Sequence, residues 1–193
     1  MANMEALDLD PGDYRGTYKL IGGRMALDLV NTVSWPDTER RHDWLGSAGN
    51  VERWLKAAGI SAPAIGQSEL APIRALRTTI TAVLRPLCHG SRPPGHAVDA
   101  LNVYLRAAHS RRLIGKSKLV WTWLPPRTAM DAFGPVVLDA ADLVTGGRHD
   151  RLRACPPCDW LFEDQSRNGL RRWCDMADCG SRDKSNRYYH RHT

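Results

Sequence analysis

Apolar residues along this chain recur mostly at three- and four-residue spacing, the helical period. The clearest case is Leu70, Ile73, Leu76, Ile80, Val83, Leu84 and Leu87, one face of a helix that Ser68 is placed to cap. Pro86 should end or kink it. Met25, Ala26, Leu29, Val30 and Val33 share a face of a shorter helix, after a short strand over Tyr18–Ile21 and the Gly22-Gly23 turn. Val51, Trp54, Leu55 and Ala58 describe another, with Asn50 as its expected cap and Gly59 as its stop. Val98, Leu101, Leu105 and Ala108 fit a helix over Gly95–Ala108. Pro135 suits the first turn of a last one that buries Val137, Ala140, Ala141 and Val144. Leu119–Leu124 reads as a strand closed off by Pro125-Pro126. The remainder reads as a loose acidic lead over Met1–Gly16, an exposed loop over Ser34–Gly49 and a Pro/Gly-rich connector at His89–Gly95. The pattern predicts a mainly α protein with a few short strands, an α+β chain: a helical body over 1–147 and a small C-terminal module over 148–193.

Composition narrows the class. The 193 residues are 42% hydrophobic, enough for a body with its own core. No apolar run approaches the roughly 20 residues of a membrane helix, and Met1 to Pro11 is acidic, so a soluble cytoplasmic protein is expected. The chain carries net +6. One basic cluster, Arg106, Arg111, Arg112, Lys116 and Lys118 with His109 among them, contains no acid. No nucleophile motif, phosphate loop or open metal site is legible, so no catalysis is expected.

Four of the five cysteines lie in the C-terminal module. Cys155-Pro156-Pro157-Cys158 is followed by Cys174 and Cys179. Two cysteine pairs at this separation point to one tetrahedral zinc site with four thiolate ligands, closed to water and therefore structural. Two disulfides, which need an oxidising compartment, and a redox or iron–sulfur role are the alternatives. Trp160-Leu161-Phe162 reads as a strand, Asn168-Gly169 as a turn and Arg171-Arg172-Trp173 as the returning strand. The proline-free stretch after Cys179 reads as a basic helix. Knuckle, hairpin and helix together describe a treble-clef type of finger. Arg167, Arg171, Arg172, Arg182, Lys184, Arg187 and Arg191 are candidate phosphate contacts. Cys88 stands apart as a candidate redox-sensing thiol, although a buried inert cysteine is the commoner case.

The run Cys155-x-x-Cys158, Trp160-Leu161-Phe162-x-Asp164, Ser166-Arg167-Asn168-Gly169, Arg171-Arg172-Trp173-Cys174, Cys179-Gly180-Ser181-Arg182 resembles the CGNR zinc finger of bacterial transcriptional regulators. Ser181 stands where the family name implies Asn. Gly22-Gly23 with Ala26-Leu27-Asp28-Leu29-Val30-Asn31-Thr32 resembles the start of the ABATE domain, the usual companion of that finger. The resemblance implies a zinc-dependent DNA-binding regulator. Its body would sense a small-molecule signal or mediate homodimerisation. A zinc-stabilised adaptor for protein or RNA is the other class the scaffold allows. Asp28 and Asn31, polar residues amid an apolar helix, would form either a structural hydrogen-bond network or a ligand pocket in the body.

Overall fold

Helix α3, Leu70–Cys88, is the axis of the body; its apolar stripe from Leu70 to Leu87 is buried along its whole length. The computed structural model describes residues 6–36, 38–117 and 119–185. Against α3 pack α1 (Met25–Val30), α4 (Gly95–His109) and α6 (Gly134–Thr145), and α6 also lies against α1 and α4. Helix α2 (Ala48–Ala57) and the short α5 (Ala129–Ala132) complete the helical layer. Three two-stranded antiparallel sheets decorate it. They are β1–β2 (Val33–Ser34 with His42–Asp43), β3–β4 (Arg112–Ile114 with Trp121–Trp123) and β5–β6 (Leu152–Ala154 with Leu161–Glu163). The α+β reading of the sequence holds.

Several boundaries differ from the sequence reading, for local reasons. Pro86 does not end α3, because a proline in the last turn costs only one ladder bond. The stop comes at Gly90, left-handed at φ 71°, where the Ser91 amide donates back to Pro86 O at 2.9 Å. Ser47 rather than Asn50 caps α2, accepting from the Asn50 amide at 3.3 Å. Asn50 is instead buried inside the helix, donating to Trp44 O and Asp10 O. Tyr18–Ile21 is not a strand; Tyr18 forms an isolated bridge to Leu7. That bridge and the Asp10–Asn50 bonds fasten the described part of the acidic lead, with Leu9 in the core. The segment expected as an exposed loop holds β1 and β2 and buries Trp44 and Leu45. Its anchor is ionic. Arg77, only 4% exposed on α3, clamps both Asp43 carboxylate oxygens at 2.6 and 2.7 Å and donates to Thr32 Oγ1 at 3.0 Å. Burial alone would raise the Asp43 carboxyl, but the Arg77 guanidinium outweighs it and holds it below the usual range.

Asp28 is the opposite case. Its Oδ1 accepts the Gly22 amide at 2.8 Å, yet among the described residues no cation pairs with it. Burial, with Asp139 adding to it, pushes its carboxyl up to about 7. A carboxyl raised on folding binds its proton more tightly in the native state, so its contribution is present below about pH 4 and lost as pH climbs through 7. Asp28→Asn keeps the acceptor for Gly22 and removes the charge. Urea unfolding at stepped pH should show wild type losing on the order of 1–3 kcal/mol relative to Asp28→Asn between pH 4 and pH 8. Parallel pH profiles for the two proteins would exclude a buried, strained carboxylate.

Candidate metal centre and nucleic-acid interface

The β5–β6 hairpin carries the first cysteine pair in its turn. Register runs Leu152↔Glu163, Arg153↔Phe162 and Ala154↔Leu161, and Cys155-Pro156-Pro157-Cys158 spans the tip. The knuckle closes through Cys155 N to Trp160 O at 2.9 Å and Asp159 N to Cys155 O at 2.7 Å. Asp159 takes φ 61°, a left-handed value that a short polar side chain tolerates. Its carboxylate pairs with Arg85 of α3, which pins the knuckle to the body.

This arrangement corrects the expected hairpin. Arg171-Arg172-Trp173 does not return as a strand beside Trp160–Phe162; the partner strand is Leu152–Ala154, upstream of the knuckle. The cause is Asp164, which is fully buried. Its two carboxylate oxygens accept the Ser166 and Arg171 amides, each at 2.9 Å, and so fold the chain into a loop where a ladder would have run. Burial acts to raise this carboxyl, and the hydrogen bonds from Ser166 and Arg171 outweigh it, leaving it below the usual range. The Asn168-Gly169 turn is present. Gly169 sits at φ 63°, and a Cβ there would stand 2.7 Å from Arg151 Nη1, which donates to Ser166 O.

Cys174 follows that loop, and Cys179 lies in a single π-helical turn, Met176–Gly180, opened by Asp175 accepting the Ala177 amide. A helix begins directly after it, over 181–185. Ser181 donates its hydroxyl to Met176 O at 3.3 Å and ties the two turns together.

The four sulfurs of Cys155, Cys158, Cys174 and Cys179 are buried and all within 4.8 Å of one another. Cys158–Cys174 is 3.5 Å and Cys174–Cys179 is 3.7 Å. A tetrahedron with Zn–S bonds of roughly 2.3 Å has edges of about 3.8 Å, so the cluster matches that tetrahedron and is far too open for S–S bonds. Four thiols this close cannot all ionise unaided. Hydrogen bonds from its three neighbours favour the Cys155 thiolate, and the bonds that Cys158 and Cys174 make to Cys155 hold those two thiols well above the usual thiol range. A divalent cation removes the conflict. The site takes one structural zinc through four cysteines. Cys88 is separate; burial pushes its thiol up to about 12, which makes it unreactive near neutrality.

Two family models match the chain. One, described as "Putative stress-induced transcription regulator" and called ABATE, matches residues 23–147. The other, the CGNR zinc finger, matches residues 151–192. The chain belongs to the ABATE family. No curated protein matches it.

The ABATE opening, Gly22 to Thr32, is what grips the CGNR finger. Asn31 brackets Leu161 of β6: its Nδ2 donates to Leu161 O at 2.8 Å and its Oδ1 accepts the Leu161 amide at 2.7 Å. Gly22 O accepts the Glu163 amide at 2.8 Å, and Gly23 O accepts Gln165 Nε2 at 3.1 Å. Asp28 and Asn31 therefore serve an internal network. Neither lines the cavity of about 400 Å³ that lies between residues 13–19, Trp35 and the finger, where Lys19 pairs with Asp175 at 2.8 Å.

The candidate phosphate contacts fall into two groups. Arg167, Arg172, Arg182 and Lys184 are exposed, with Arg172 over the Trp173 ring and Arg182 paired to Asp178 at 2.6 Å. Arg171 is turned inward. It stacks on Phe162 at 4.5 Å, donates to Trp173 O at 2.9 Å and to Cys174 O, and reaches Ile21 O. Alternating charge and aromatic residues gave no hint of this, because the burial of Arg171 depends on Asp164 folding the loop. Arg187 and Arg191, with His190 and His192, lie outside the described residues.

Replacing Asn31 with Ala leaves the Leu161 N–H and C=O buried and unpaired. Unfolding of the zinc-loaded protein in urea should show a loss on the order of 2–4 kcal/mol. A loss under about 0.5 kcal/mol, the size of an ordinary surface change, would mean that water or backbone shift replaces the clamp.

Proposed function

We propose that this chain is a zinc-dependent DNA-binding regulator of transcription, acting in the cytoplasm and without catalysis of its own. The observation that supports it best is the disposition of cations around the zinc. Arg167, Arg172, Arg182 and Lys184 point to solvent from a module whose backbone is fixed from inside by metal, Asp164 and Arg171. Rigid presentation of guanidinium and ammonium groups is what phosphate positioning needs. Zinc contributes on the order of 10 kcal/mol to ordering a module of this kind. Within the division 1–147 and 148–193, the body senses a signal or pairs with a second copy, and the finger meets DNA. The sequence after Ser185 adds Arg187 and Arg191 to the same basic segment.

The salt dependence of binding tests this reading. Wild type should lose DNA affinity steeply as salt rises. An Arg172→Ala, Lys184→Ala double variant should flatten the log–log slope by about 2, one for each phosphate contact removed. Arg171→Ala should behave differently, lowering the unfolding free energy while leaving the slope close to wild type. A flat salt response with no sequence preference would place the finger among adaptor modules.

A further inference from the structure

The most basic stretch of the chain lies outside the finger. From Arg106 to Arg127 the sequence holds Arg106, Arg111, Arg112, Lys116, Lys118 and Arg127 and no Asp or Glu. Those six cations equal the net +6 of the whole chain. The stretch comprises the end of α4 and the β3–β4 hairpin.

The hairpin also exposes apolar surface. Register pairs Arg112 with Trp123 and Ile114 with Trp121, so these four share one face. At the base of that face Trp123 packs against Gly134 of α6, where a Cβ would come within 2.6 Å of the indole. Further out the same face is uncovered: Ile114 is 60% and Trp121 63% exposed. Val120 at 54% and Leu119 at 79% extend it to the tip. Leu119 holds φ 51°, a left-handed conformation that costs a bulky side chain free energy. The Arg112 guanidinium lies 4.5 Å from the Trp121 ring, a half-buried cation held against an exposed indole. Arg106 and Lys116 are exposed, and among the described residues no carboxylate pairs with either. Arg111 is the exception, held by Pro125 O and Asp131.

An apolar patch of this kind has an occupant, and its charge indicates which. A second copy of the hairpin would bring like charges together. A polyanion satisfies the cations, and flat, partly apolar groove walls satisfy Trp121, Leu119 and Val120. We propose that the β3–β4 hairpin is a second DNA contact, with Arg106, Arg112 and Lys116 on phosphates and the apolar tip against the groove. This rests on the regulator reading above and extends it from the finger to the body.

Fluorescence anisotropy of a labelled mixed-sequence duplex, read over a salt series with the full zinc-loaded chain, tests the assignment. Three variants are compared with wild type: Arg106→Ala with Lys116→Ala, Leu119→Ser with Trp121→Ser, and the finger pair Arg172→Ala with Lys184→Ala. All six positions are exposed, so zinc content and circular dichroism should match wild type. The hairpin charge variant should flatten the salt slope by about 2. The apolar variant should bind roughly 10-fold weaker or more, with its slope unchanged. The proposal is overturned, and the regulator reading kept, if both hairpin variants bind like wild type while the finger pair is impaired. Hairpin variants that change only the sedimentation coefficient, or only flotation with anionic vesicles, overturn it in favour of self-association or of a lipid surface. Absence of binding by wild type removes both readings.

Discussion

Four buried thiols inside a sphere of about a zinc–thiolate radius are the constraint on which the C-terminal module rests. They repel as thiolates and waste hydrogen-bonding capacity as thiols, so the local fold presupposes a divalent cation. The rest of the module exists to bring those sulfurs together. A two-stranded hairpin supplies one pair from its tip, and a buried aspartate and a π-helical turn deliver the other. The sulfurs also join the main hydrophobic cluster rather than a separate one, with Leu161 and Phe162 fully buried beside them.

That continuity changes how the body and finger should be viewed. A short finger on a flexible tether would report nothing about the state of its body. Here the ABATE opening supplies backbone and side-chain bonds to β6, Arg85 of α3 holds the knuckle, and Lys19 reaches Asp175. These contacts come from the residues that flank α1 and from α3, and α1 and α3 also pack the helical core. A shift of α1 therefore has a physical route to the surface that carries Arg172 and Lys184.

Much of this was legible in the sequence. Helical spacing located α3 and α4 to within a residue or two, because an amphipathic stripe against a core is a local property. Cysteine spacing identified all four sulfurs, because a metal's geometry is indifferent to the rest of the fold. What escaped was set by partners distant in sequence. The burial of Trp44 depends on Arg77, 34 residues from the Asp43 it clamps. The loop over 164–171 depends on one carboxylate choosing amides over solvent. Arg171 looked like its neighbour Arg172, and only the fold separates the one that braces the zinc loop from the one that faces outward. The strand over Leu119–Leu124 was legible, but that Trp121 projects from the body was not, since strand alternation does not say where a hairpin leaves it.

Selection from sheared genomic DNA, run in parallel with the zinc-loaded chain and with the same chain stripped of metal by a chelator, bears on the whole account. At about 150 mM salt, where weak nonspecific attraction is screened, the metallated protein should enrich a small set of related sequences. The stripped protein should enrich none until zinc is restored. Equal enrichment with and without metal would contradict the dependence of the interface on the tetrathiolate centre. No enrichment by folded, metallated protein would contradict the regulator reading itself.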